Sequence, residues 1–232
     1  MNSGPLLFLG LFVTMACSWL GFVLGPQLQL GGLTQTNTVV MGDALSQTYP
    51  VPEPGDAHQG AEVYRANGCA CCHTEMVRPR SLGSDIAHSW GARRSLAEDY
   101  LFDQPVMLGS QRVGPDLANV GLRSDTNGIL VRLYNPRRII RRSLMPPYRF
   151  LFETRKIGFF PSPDALVLPA PDAPPLGYEV IPRPQARALA AYLMSLRQTG
   201  YLFEAPPPPA RPLKTNAVPT NAVPAVKAPA AK

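Results

Sequence analysis

The chain opens on an unbroken apolar run. From Leu6 to Leu24 no residue is charged, and only Thr14 and Ser18 interrupt the apolar pattern with polar side chains. At ~1.5 Å per residue a helix of this run spans roughly 28 Å, close to a bilayer core of about 30 Å. The pattern predicts a transmembrane anchor over 1–27. A cleaved signal peptide would have a basic start, a shorter apolar core and an A-x-A-like exit. None of these precedes Gly25, so the anchor is expected to be retained. Residues 28–54 are polar, contain Gly31, Gly32, Pro50, Pro52 and Pro54, and lack helical period; they read as a linker. A helix is expected next, capped by Asp56, running through Gly60, Val63 and Tyr64 and ending near Gly68. Ala186, Leu189, Ala190, Leu193 and Leu196 recur at helical spacing after Pro184, so a second long helix is expected there, closed by Gly200. Shorter helices fit Ser95 to Phe102 and Ile129 to Asn135, and a short hairpin fits within Phe159 to Val180. The pattern gives a globular domain over 55–204 and, over 205–232, a Pro/Ala-rich tail expected to be disordered.

Composition adds two constraints. The 27 prolines and 19 glycines in 232 residues favour long loops around few helices. A net charge of +6, without basic residues interleaved with aromatics, points away from nucleic acid and toward a lipid bilayer, an acidic protein or an anionic cofactor. From Arg132 to Lys156 eight basic residues accompany one acid, Glu153. They form either a solvated face or a surface for propionates, headgroups or a partner.

The cysteines carry the chemistry. Cys69, Cys71 and Cys72 lie within four positions and are followed by His73. Vicinal cysteines strain a disulfide, and a structural zinc site wants four ligands, whereas only His58 and His88 remain as unpaired candidates. Read from Cys69, the segment is C-x-x-C-H, the attachment signature of a c-type haem. The spacing lets Cys69 and Cys72 add to the two vinyl groups while His73 meets the iron; Cys71 is left over as a free thiol. Covalent haem attachment to these thiols puts the domain outside the cytoplasm.

A sixth ligand has to come from a methionine or histidine. Met1 and Met15 belong to the anchor and Met41 to the linker; Met76 is too near His73, and Met194 reads as core. Met145 lies in the proline-stiffened loop Leu144-Met145-Pro146-Pro147-Tyr148 and is the preferred candidate, with Met107 and then His88 as alternatives.

The flanking segments resemble class I c-type cytochromes. In that class the first and last helices cross with a small residue under an aromatic, roles that Gly60 and Tyr192 fit. Gly114-Pro115-Asp116-Leu117 resembles the segment whose proline carbonyl accepts from the axial histidine. The resemblance thus gives Pro115 to His73 and packs Leu117 on the haem. More specifically, Gly68-Cys69-x-x-Cys72-His73-Thr74-x-Met76-Val77-Arg78-Pro79 is similar to the haem motif of the monohaem subunit II of cbb3-type cytochrome c oxidases. Ser95, Ala97, Glu98, Tyr100, Asp103, Pro105, Gly109-Ser110, Arg112, Val120-Gly121, Asn135-Pro136-Arg137 and Met145-Pro146-x-Tyr148 follow in that family's order. Two departures stand out: Asn127-Gly128 where the family has Trp-His, and Arg141-Arg142 where it has an acid before the methionine.

The fold class implied is mainly α, with an N-terminal transmembrane helix and a class I cytochrome c-like haem domain with long loops. The function implied is electron transfer through one covalent haem c in a membrane-bound, oxygen-reducing haem-copper oxidase. Its partners would be a polytopic catalytic subunit, a further cytochrome c subunit and a soluble cytochrome c as donor. The location implied is a bacterial inner membrane, single-pass, with the haem domain on the periplasmic side. The alternatives are the monohaem subunit of a nitric oxide reductase-like complex, a free-standing anchored shuttle and, more remotely, a haem-based sensor.

Overall fold

The computed structural model describes residues 3–39, 46–168 and 170–207. A single apolar helical stretch, Gly4–Leu30, comes first, long and apolar enough to cross a membrane. It comprises α1 (Gly4–Trp19), a π-helical turn (Leu20–Leu24) and α2 (Gly25–Leu30). Pro5 sits in its first turn, where a missing N–H costs nothing. None of its side chains is buried against the rest of the chain.

The segment expected to be a linker carries regular structure at its described residues. The helix continues to Leu30, and β1 (Thr36–Val39) pairs antiparallel with β2 (Ser46–Tyr49), Thr36 opposite Tyr49. This hairpin rests on the domain. Tyr201 donates its backbone N–H to the Val39 carbonyl at 2.9 Å. Tyr49 is buried among Leu96, Leu202 and Ala205, and its hydroxyl bonds Asp99. Side-chain burial here comes from residues far along the chain, which local periodicity cannot register.

The body is built on two helices that cross, α3 (Gly55–Ala66) and α6 (Pro184–Ser195). Pro54, in extended backbone, occupies the N-cap of α3. The expected cap, Asp56, stands one position inside the first turn, where a carboxylate still complements the helix dipole. Gly68 at φ 67° ends the helix in the left-handed region and turns the chain into the cysteine motif. Pro184 opens α6, which ends at Ser195, short of Gly200. The expected helix near Ile129 is α4 (Thr126–Tyr134), capped by Asp125, which accepts from the Gly128 N–H at 3.2 Å. A short α5 (Pro136–Ile139) follows. The expected helix within Ser95 to Phe102 is a short 3₁₀ helix, Ala97–Tyr100.

The hairpin exists, displaced outward: β3 (Phe152–Lys156) pairs with β4 (Tyr178–Pro182), and the proline-rich residues between form its connection. One main core unites α3, α4, α6 and the hairpin through Ala57, Tyr64, Leu130, Leu133, Phe152, Val180, Leu189 and Leu193, among others. At about 1.5–3 kcal/mol for each large side chain fully buried, this core drives the fold. Most of the expected tail, 208–232, lies outside the described residues.

Candidate functional site: the cysteine motif and its strap

The motif sits immediately beyond the α3 terminus, in the tight turn Cys69–Cys71. Cys69 is half-buried against the main core, whereas Cys71 and Cys72 are exposed; all are free thiols. Burial pushes the Cys69 thiol up to about 11, so it is protonated at neutral pH. Tyr148 lies close enough to interact with it. Although four cysteine and histidine side chains crowd this segment, among the described residues no group of three or more His, Cys, Asp or Glu is placed to hold a metal ion.

A second segment straps the motif. Ser110, Gln111 and Gly114 donate backbone N–H groups to the carbonyls of Ala70, Cys71 and Cys72 at 3.2, 3.2 and 2.9 Å. The Leu117 N–H reaches Thr74 at 2.8 Å, and the Glu75 N–H reaches Met107 at 3.0 Å. Two glycines allow this approach. A Cβ on Gly109 would lie 2.1 Å from the His73 carbonyl oxygen, and one on Gly114 would lie 2.2 Å from Cε1 of the His73 ring. The ring is therefore held flat against backbone.

His73 Nδ1 lies 2.8 Å from the Pro115 carbonyl oxygen. That acceptor fixes the proton on Nδ1 and leaves the Nε2 lone pair for another partner. Burial holds the His73 pKa below its ordinary value; the charge of Arg132 acts in the same direction and the Pro115 bond opposes it. A neutral imidazole with one oriented nitrogen is what a metal requires of histidine. Leu117 and Met145 are partly buried and pack on the same core as Cys69. Met107 belongs to that core outright and is 7% exposed. His88 stacks on Trp90, ring centroids 5.0 Å apart, and its Nδ1 is engaged by the Ser84 carbonyl at 2.8 Å.

Of three further features, Glu75 and Asp85 escaped the sequence reading, whereas Arg132 stood there only as one of eight basic residues offered to propionates, headgroups or a partner. Arg132 is close enough to act on His73, and its Nε is buried with no hydrogen-bond partner among the described residues. A lone arginine inside the apolar run Ile129-Leu130-Val131-Arg132-Leu133 was the available signal. Glu75, 2% exposed, accepts from the Tyr192 hydroxyl at 2.9 and 2.8 Å. Burial raises its pKa to about 8, a rise that the Tyr192 bond opposes. Asp85, fully buried, gathers Arg78 and Arg112, and nothing in its local sequence announces it.

The crossing helices, the motif at the end of the first and the strap over it define a cytochrome c-like domain behind an apolar N-terminal helix. A family model described as "Cytochrome C oxidase, mono-heme subunit/FixO" matches residues 39–158, and the chain belongs to that family. It is thus a mono-haem electron-transfer subunit of a cbb3-type cytochrome c oxidase, a complex that also contains a catalytic subunit. None of the curated proteins compared with the chain matches it.

Proposed function

We propose that Cys69 and Cys72 hold one haem c through thioethers, that His73 and Met145 are its axial ligands, and that Pro115 and Leu117 complete its proximal wall. The observation that carries this reading is the 2.8 Å contact between His73 Nδ1 and the Pro115 carbonyl, with Gly114 flush against the ring. A second observation fits the cofactor itself. The Nε of Arg132, buried near His73 and without a hydrogen-bond partner among the described residues, has room for an acceptor, and haem carries carboxylates that suit a guanidinium. Bound there, the haem supplies one-electron chemistry, and the chain's ligands, hydrogen bonds and burial set its potential. Electrons arrive from a soluble cytochrome c or a further cytochrome c subunit and leave to the b-type haem of the polytopic haem-copper catalytic subunit. Gly4–Leu30 anchors the chain in a bacterial inner membrane, with the haem domain on the periplasmic side, where thioethers form.

The test is haem-stained denaturing electrophoresis of protein matured in a periplasm. Wild type and Cys71→Ala should retain stain; Cys69→Ala and Cys72→Ala should lose most of it. Equal loss from Cys71→Ala would overturn the thioether assignment. Absence of stain in all four would overturn the covalent haem.

A further inference from the structure

We infer that Arg112, buttressed by Asp85, is the positioning residue for the axial histidine: it locks the turn that presents the Pro115 carbonyl to His73. The inference rests on the haem reading and extends it to residues that do not touch the ring. Arg112 stands at φ 51°, a left-handed conformation that residues with a Cβ rarely adopt, three positions before Pro115. Its side chain explains why the backbone stays there. Nη2 lies 2.8 Å from Asp85 Oδ2, 2.8 Å from the Met76 carbonyl and 3.3 Å from Asp116 Oδ2. One nitrogen thereby ties together the segment after the haem motif, the loop bearing Asp85 and the strap.

Both acids are fully buried and fully engaged. Asp85 also receives the Arg78 backbone N–H at 2.8 Å and its guanidinium at 3.1 and 2.8 Å. Asp116 receives the backbone N–H groups of Met76 at 2.8 Å and Ala118 at 3.0 Å. Asp116 adjoins Pro115 in sequence, so clamping its carboxylate between Met76, Ala118 and Arg112 fixes the orientation of the Pro115 carbonyl. Met76 is three residues beyond His73, so the same clamp fixes the other end of the 2.8 Å contact. A carbonyl held at that distance increases the electron donation of the imidazole and favours the ferric state. Loosening the clamp weakens the bond and raises the potential.

The charge-conserving variant Arg112→Lys isolates geometry from electrostatics, because an ammonium keeps the charge on a stem one bond shorter, whose nitrogen falls short of the three acceptors that Nη2 ties together. We expect the haem-loaded full chain to shift its one-electron equilibrium toward ferrous by about two- to tenfold, up to ~59 mV. The His73 Nδ1–H resonance of the ferrous protein should move in the direction of a weaker hydrogen bond. Asp85→Asn should shift both readouts in the same direction. A merely structural role would lower the unfolding temperature while leaving potential and resonance unchanged, and that result overturns the inference. If wild type carries no haem on stained gels, the haem reading itself fails; if it carries haem and both variants keep the wild-type potential, only the positioning role fails.

Discussion

Gly60 of α3 meets the backbone of Ala188 in α6 with no room between them: a Cβ at Gly60 would lie 2.0 Å from the Ala188 carbonyl oxygen and 2.6 Å from Tyr192 Cβ. The two helices cross at this point, and the ring of Tyr192 packs 5.4 Å from that of Tyr64. Gly60→Ala forces the helices apart and should destabilise the domain by about 2–4 kcal/mol, since no flexible side chain is there to yield. Gly55→Ala, at a site with nothing within 4 Å of the new methyl, is the control and should be close to neutral. Chemical denaturation of both variants checks this; equal midpoints would refute the packing argument.

Gly114 predicts a spectroscopic rather than a global effect. A methyl there would overlap Cε1 and Nδ1 of His73 at 2.2 and 2.6 Å. The ring has to rotate or withdraw, so Gly114→Ala should keep covalent haem on stained gels while losing the six-coordinate low-spin spectrum. An unchanged spectrum would show that the ring is not the axial ligand.

Met145→Leu removes a sulfur and nearly conserves volume, so the fold should survive. The ferric sulfur-to-iron absorption band should vanish and the potential should fall, each ~59 mV being tenfold in a one-electron equilibrium. Met107 is buried in the main core and has its carbonyl engaged by Glu75. Met107→Leu should therefore leave the band intact. Loss of the band in Met107→Leu alone would transfer the ligand role to Met107.

Asp103 predicts a pH dependence. Burial, followed by the charges of Glu53 and Asp99, pushes its pKa up to about 6. An unfolded aspartate titrates near ~3.9. The native state thus holds this proton more tightly, and stability falls as pH rises from about 4 through about 6. Asp103→Asn removes that loss, so it should be more stable than wild type above pH ~6, by up to ~2 kcal/mol once solvent screening is allowed for. The advantage should disappear below pH ~4. Urea titrations at several pH values measure it, and a gain of equal size at every pH would rule out ionisation as the cause.

What the sequence made legible were features with short-range signatures. The apolar run, the helix period after Pro184 and the C-x-x-C-H spacing each declare themselves within a few residues. The β1–β2 hairpin did not, because its burial depends on Leu202 and Ala205 at the far end of the chain. Asp85 was invisible for the same reason: its meaning comes from Arg112, 27 residues away. The β3–β4 hairpin was sought inside the proline-rich stretch, yet prolines fill its connection while the strands flank them. Proline cannot donate to a ladder, so strands avoid the segment that turn signals mark.

The docked hairpin also sets a leash. Leu30 closes the apolar helix and Thr36 is already paired with Tyr49, so only residues 31–35 lie between. Even fully extended, that stretch reaches only ~20 Å. The domain therefore stays within that reach of the apolar helix and is not a long swinging arm. Lengthening this short span, without touching a single side chain of the cysteine motif, would turn a docking problem into a search problem.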